Sequence, residues 1–213
     1  MTTTDVLRLP DDPIVAPVLE IVLAEESPAV AHHSIRSFFF ARLLAQHEGL
    51  QIGHDVGERE LFAACVLHDI GLTTRGNGDQ RFEVDGADAA VAILESLGVA
   101  ESERNLVWEA IALHSSPGIA TRRGPLSYLT REGVGVDFGV RSEVVSEDQA
   151  IAIHDADPRL NMAKVLVDDI VAQAHANPAK APRYTMVGEF VDERATKSIT
   201  DMERMAAASR WGN

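Results

Sequence analysis

Apolar residues along the chain recur mostly at spacings of three and four, in segments separated by Gly, Pro and Ser/Thr/Asp punctuation. The pattern predicts a short helix from about Pro17 to Ala24. A long one follows from Ser27-Pro28 through His33 to about His47, stopped by Gly49, and a third runs from Glu58 to Ile70, ended by Gly71. Further helices are expected over 81–97, with Phe82, Ala89 or Ala90, Ile93 and Leu97 on one face, over 101–114, and over 125–138, where Gly133 and Gly135 weaken the pattern. Ser146 and Gln149 form a capping box for a helix to about Ala156; another spans Leu160 to His175, and a last one runs from about Val187 toward Met205. Residues 71–78 read as a loop and 177–182 as a linker. No internal repeat and few strand-like alternations occur, so the predicted class is all-α. The organisation expected is a loosely held N-terminal arm over 1–16, a helical domain over 17–190, and a C-terminal helix and tail over 191–213.

Composition narrows the setting. The chain has 213 residues, 46% hydrophobic and 24% charged, which suits one folded domain rather than a disordered chain. A net charge of −14 repels a phosphate backbone, so duplex nucleic acid is not expected as a partner. The single cysteine, Cys65, excludes an internal disulfide framework and fits a reducing compartment. No leader pattern opens the chain and no apolar run approaches the ~18 residues of a membrane span, so a cytoplasmic protein without membrane attachment is expected.

Within this frame, His68-Asp69 stands out because it closes the apolar stretch Leu61 to Leu67. A buried imidazole and carboxylate are costly unless each finds a strong partner, and a divalent metal satisfies both. A His beside Asp at a helix end can also be a simple capping pair. His33, His114 and Asp137 change the balance, since each also sits in an apolar context; His33 lies 35 residues before His68, and Asp137 68 residues after Asp69. His154-Asp155 has the same form, but the following Asp157-Pro158-Arg159 reads as a surface helix end. His32 is expected to be exposed, because adjacent helical residues point ~100° apart. Phe38-Phe39-Phe40 spreads around most of a helix and reads as core. Arg36, three residues after His33, is placed to meet a site carboxylate or a substrate anion.

A single His, an adjacent His-Asp and a distant Asp on helices resemble the HD superfamily. The resemblance implies a helical bundle around a metal, with His33, His68, Asp69 and Asp137 as ligands. Such an N₂O₂ set suits one divalent ion, most readily Zn²⁺, with Fe²⁺, Mn²⁺, Co²⁺ or Ni²⁺ as alternatives. Superfamily members with two metals carry extra histidines before the final Asp, and here only His114 lies in that interval. It is expected beside a single metal as a proton donor or acceptor, or as a fifth ligand.

The strings His33-Ser34-Ile35-Arg36, Leu67 to Leu72, Arg81 to Ala87, Ala112 to Ala120 and Gly135 to Gly139 are similar to the cyanamide hydratase branch over roughly residues 30 to 190. That resemblance implies addition of water across a carbon–nitrogen triple bond, giving urea from cyanamide, with Zn²⁺ lowering the pKa of its water to roughly 7. Asp69 would steer the water, and His114 or Glu83 would transfer protons. A Glu in a first helical turn is equally explained by the helix dipole. The enzyme alternative is a phosphohydrolase acting on a nucleotide or other phosphate ester, for which Lys and Arg are sparse near the predicted ligands. The non-enzyme alternative is a metal-containing ligand sensor. A small-molecule substrate is the expected partner, and self-association into a homo-oligomer is left open.

Overall fold

Helical periodicity is realised almost throughout residues 3–212, which the computed structural model describes. In order, the helices are α1 (Thr3–Val6), α2 (Val15–Glu25), α3 (Pro28–Glu48), α4 (Glu58–Val66), α5 (Phe82–Ser96), α6 (Glu101–Leu113), α7 (Pro125–Asp137), α8 (Glu147–Ala156), α9 (Met162–Ala176), α10 (Met186–Thr196) and α11 (Asp201–Ala208). Short 3₁₀ turns occur at Ile70–Leu72, Ala120–Arg122, Ser142–Val144 and Pro178–Lys180. Among the described residues there is no β-strand, and no helix is long and apolar enough to cross a membrane. The all-α expectation holds.

The bundle is organised around α3, which is buried on all sides from His33 to Ala45. Phe38, Phe39 and Phe40 are all core residues, as their spread around the helix predicts. α7 lies along α3, and the two helices approach closely at Gly133. A Cβ there would fall 2.7 Å from the Ser37 carbonyl oxygen and 2.8 Å from the Ala41 Cβ. Close backbone approach thus explains a glycine inside a helix that costs ~1 kcal/mol in intrinsic propensity.

The helix expected to run to Ile70 stops at Val66, and Leu67 leaves helical geometry at φ −102°, ψ 4°. His68 and Asp69 therefore sit in a turn beyond the helix. Gly71 does not cap it but falls within the following 3₁₀ turn, where a Cβ would lie 2.0 Å from the Phe82 carbonyl oxygen. That close fit seats the start of α5 against the His-Asp turn.

The described residues near both ends are tied into the bundle, those of the expected loose arm included. Val6 and Ile14 are buried, Arg42 donates to the Arg8 carbonyl at 2.6 Å, and Arg59 pairs with Asp12 at 2.7 Å, so residues 5–14 are anchored rather than loose. The single C-terminal helix expected from Val187 is divided into α10 and α11. Lys197 turns extended, and Thr200 and Glu203 form a reciprocal capping box that starts α11. Trp211 then returns to the core, donating from its indole to the Val136 carbonyl at 2.7 Å and stacking on Phe40.

Candidate metal centre

Three imidazoles and one carboxylate meet where α3, the turn after α4 and the end of α6 converge. His33 comes from α3, His68 and Asp69 from the turn, and His114 from the residue that ends α6. From Asp69 Oδ2, His68 Nε2 lies at 3.2 Å and His33 Nε2 at 3.9 Å; His114 Nε2 is 3.9 Å from Oδ1. Each ring is aimed by its other nitrogen: His33 Nδ1 lies 2.6 Å from Asp137 Oδ2, His68 Nδ1 2.7 Å from the Cys65 carbonyl, and His114 Nδ1 2.7 Å from the Ile111 carbonyl. An acceptor at Nδ1 places the proton there and leaves Nε2 as a lone pair facing the centre.

The result is a buried point on which potential ligand atoms converge. His33 Nε2, His68 Nε2 and Asp69 Oδ2 are all buried without a hydrogen-bond partner, and one ligand atom from each residue lies within 4.8 Å of the others. Unsatisfied buried acceptors facing one another are unfavourable, and a cation cancels the penalty. The residues therefore fit a divalent metal. The electrostatics agree: burial opposes ionisation of Asp69, yet the neighbouring imidazoles, His68 foremost, hold its carboxyl down at about 2. Burial lowers the pKa of His68, but the Asp69 carboxylate outweighs it and draws the pKa upward, so the centre favours positive charge.

Asp137, expected as a fourth ligand, lies outside the group formed by His33, His68 and Asp69. It lies behind His33, and both its oxygens are occupied. Oδ2 accepts from Arg36 Nη2 at 2.6 Å as well as facing His33; Oδ1 accepts from Arg36 Nε at 3.0 Å and Arg159 Nη1 at 2.7 Å. Burial opposes its charge, but Arg36 dominates among the groups that hold it well below the usual carboxylate range. Its place in the site is to orient His33. Arg36 meets a site carboxylate, as its spacing allowed, and also donates to the Asp157 and Pro158 carbonyls at 2.9 and 3.0 Å.

The segment expected as a surface helix end is thus a support beneath the centre. Arg159 was not foreseen, because nothing local in Asp157-Pro158-Arg159 signals that the chain returns under α3. His154 is half-buried, packs edge-on to Trp211 at 5.2 Å between ring centres, and has Nε2 4.0 Å from Asp137 Oδ1. Asp155 is exposed. His32 is also not free, since its Nδ1 lies 2.9 Å from Asp157 Oδ1.

His114 and Glu83 take different places. His114 joins His33, His68 and Asp69 in lining a cavity of about 160 Å³, whose other walls are chiefly Phe82, Val134, Phe138, Leu166 and Ile170, with Met186, Met202 and Met205. Burial, then the neighbouring His68, pushes the His114 pKa down to about 4, so the ring is neutral at neutral pH. Glu83 is fully buried but does not line this cavity. Its carboxylate, expected in proton transfer, accepts from Arg81 Nη2 at 2.6 Å and from the hydroxyl of Ser115, which does line the cavity.

Fold and site together define a helical protein with a buried His/Asp metal centre. A family model for the HD domain matches residues 30–162, and the chain belongs to the HD domain family, whose members are usually metal-dependent hydrolases. No curated protein shows significant similarity to the chain.

Proposed function

We propose that this protein is a metal-dependent hydratase acting on a small nitrile, with cyanamide converted to urea as the leading reaction. The observation that carries the reading is the convergence of unpartnered His33 Nε2, His68 Nε2 and Asp69 Oδ2 on the floor of a small, mainly apolar cavity. At a liquid-water share of ~30 Å³, such a volume holds about five waters, which suits a reacting group of a few heavy atoms.

His33, His68 and Asp69 would hold the metal, which supplies Lewis acidity and an acidified water at neutral pH. The remaining chemistry belongs to the side chains around it. Asp69 Oδ1 faces His114, so Asp69 spans the metal position and the proton-transfer position. His114 keeps its Nδ1 proton on the Ile111 carbonyl and offers Nε2 to take a proton from attacking water and return it to substrate nitrogen. Ser115, whose hydroxyl donates to Glu83 and accepts from Arg81 at 3.3 Å, keeps one lone pair for a substrate N–H. Phe82 and Phe138 exclude bulk water from this end.

A phosphohydrolase is the second reading, supported by family membership and by one guanidinium, Arg131, at the cavity. Phosphate recognition draws on several cations or exposed amides, and Arg36 and Arg159 are already committed to Asp137. Assays of metal-loaded protein against cyanamide, simple nitriles and a panel of phosphate esters decide between the two. Hydration of nitriles, lost in His68→Ala, is expected; hydrolysis of phosphate esters with no nitrile turnover overturns the hydratase reading.

A further inference from the structure

Arg131 lies on α7 where the inner cavity meets a larger outer groove of about 1160 Å³, and it lines both. It is half-buried and, among the described residues, makes no hydrogen bond or ion pair. The other buried or half-buried arginines are all held: Arg36 and Arg159 by Asp137, Arg59 by Asp12, Arg81 by Glu83, Arg104 by Glu95, Arg141 by Glu48, Arg194 by Asp168 and Glu203, and Arg42 by the Val6 and Arg8 carbonyls. In a chain with 33 acidic and only 19 basic residues, a partly desolvated guanidinium left with neither a carboxylate nor a carbonyl partner is out of pattern. Leaving it so is unfavourable, and burial indeed lowers its pKa.

The charges around it do not fill the vacancy. Glu132, its chain neighbour at the same cavity, acts on it only through space and pairs instead with Arg141 at 3.8 Å. In the groove, Glu193 is taken by Lys197, while Glu189 and Asp192 on α10 form no ion pair with Arg131. Arg183, also without a hydrogen bond or ion pair among the described residues, adds a second cation to the same groove. A guanidinium fork is matched by a carboxylate or phosphate, which it binds through two parallel N–H bonds.

We propose that Arg131 reads an anionic group on the substrate, so that the substrate's uncharged reacting end occupies the inner cavity while a carboxylate or phosphate arm meets Arg131 at its mouth. This rests on the inner cavity being the place of reaction. It assigns the substrate class as a small nitrile or related electrophile carrying an acidic arm, for which unadorned cyanamide is a minimal analogue.

The test uses zinc-loaded protein and hydroxamic acids, whose head binds the metal. The other end carries a carboxylate or, as a neutral isostere, a carboxamide, on linkers of one to four methylenes. In the wild type, at least one linker length should favour the carboxylate by about tenfold or more in Kd, the scale of a hydrogen bond to a charged group. Arg131→Gln should abolish that preference while leaving carboxamide affinity and zinc content unchanged, and Arg131→Lys should retain part of it. A terminal phosphonate that outbinds the carboxylate assigns the arm as a phosphate. If no linker shows a preference, or the preference survives in Arg131→Gln, the anion reading is overturned and the metal centre stands. If no hydroxamate binds the zinc-loaded protein, the metal-centre reading fails and takes this proposal with it.

Discussion

Two imidazole lone pairs and a carboxylate aimed at one buried point cannot satisfy one another, and that single fact makes the roles of the surrounding residues separable. His114 sits beside Asp69 but outside the tight group of His33, His68 and Asp69, so His114→Gln should lower turnover by ~10² to 10⁴ while most of the metal remains. Metal content and kcat on one preparation check this; metal lost in proportion to rate makes His114 a ligand. The same residue predicts a pH dependence. Its folded-state pKa is about 4 against an ordinary 6.5, so between those values the unfolded chain binds a proton that the folded chain refuses. Metal-free protein should therefore lose stability as pH falls from about 6.5 toward 4. His114→Gln should lose less across denaturant titrations at pH 7 and 5, and an identical loss would refute the assignment. Asp137→Asn removes the charge shared by Arg36, Arg159 and His33. It should cost about 3–5 kcal/mol in urea unfolding, as broken buried pairs do, and weaken metal binding ~10- to 100-fold as lost supporting partners do. A direct ligand would instead lose the metal altogether.

At the scale of elements, periodicity located nearly every helix, because each is a stripe of apolar residues bounded by ordinary stop signals. It failed where tertiary contact overrode local pattern. Apolar residues continue through Leu67, yet α4 ends at Val66 so that His68 and Asp69 can turn inward. The division of α10 from α11 was legible in Thr200-Asp201-Met202-Glu203, a capping box hidden inside an apparently continuous amphipathic run. The grouping of His33, His68 and Asp69, with His114 beside them, followed from the resemblance to the HD superfamily and not from spacing alone. The placement of Asp137 behind His33 could not be read from the sequence, since it depends on Arg159 reaching it from a segment with no local sign of burial. Gly133 shows the same limit: helix propensity alone says that Ala should improve α7 by ~1 kcal/mol. The Ser37 carbonyl 2.7 Å from the required Cβ says the opposite. Gly133→Ala should destabilise by about 1–3 kcal/mol, as overpacking does, and should weaken metal binding by displacing Asp137 one turn further on. A raised melting temperature would contradict this account of the α3–α7 contact.

The functional unit is larger than the segment that matches the family. Leu166, Ile170, Met186, Met202 and Met205 close the cavity from beyond residue 162, and Trp211 supports the core at Val136, next to Asp137. A metal at the centre would therefore link α3 and the turn after α4 directly, α6 through His114 beside Asp69, and α7 through Asp137 behind His33. Binding that favours the folded state adds ~2.7 kcal/mol when free metal is at a hundred times its Kd, so metal addition should raise the melting temperature of the whole chain cooperatively, with a chelator reversing it. Elemental analysis should find about one ion per chain, because only one buried group of three such ligands is present among the described residues. His68→Ala should abolish both the bound ion and the thermal shift, since it removes one of three ligand atoms. His154→Ala should keep both: its ring faces Asp137 Oδ1 at 4.0 Å, one residue further from the centre than His33, and Asp137 retains Arg36 and Arg159 without it. Two tightly held ions, or a thermal shift lost in His154→Ala but kept in His68→Ala, would place the centre elsewhere in the bundle.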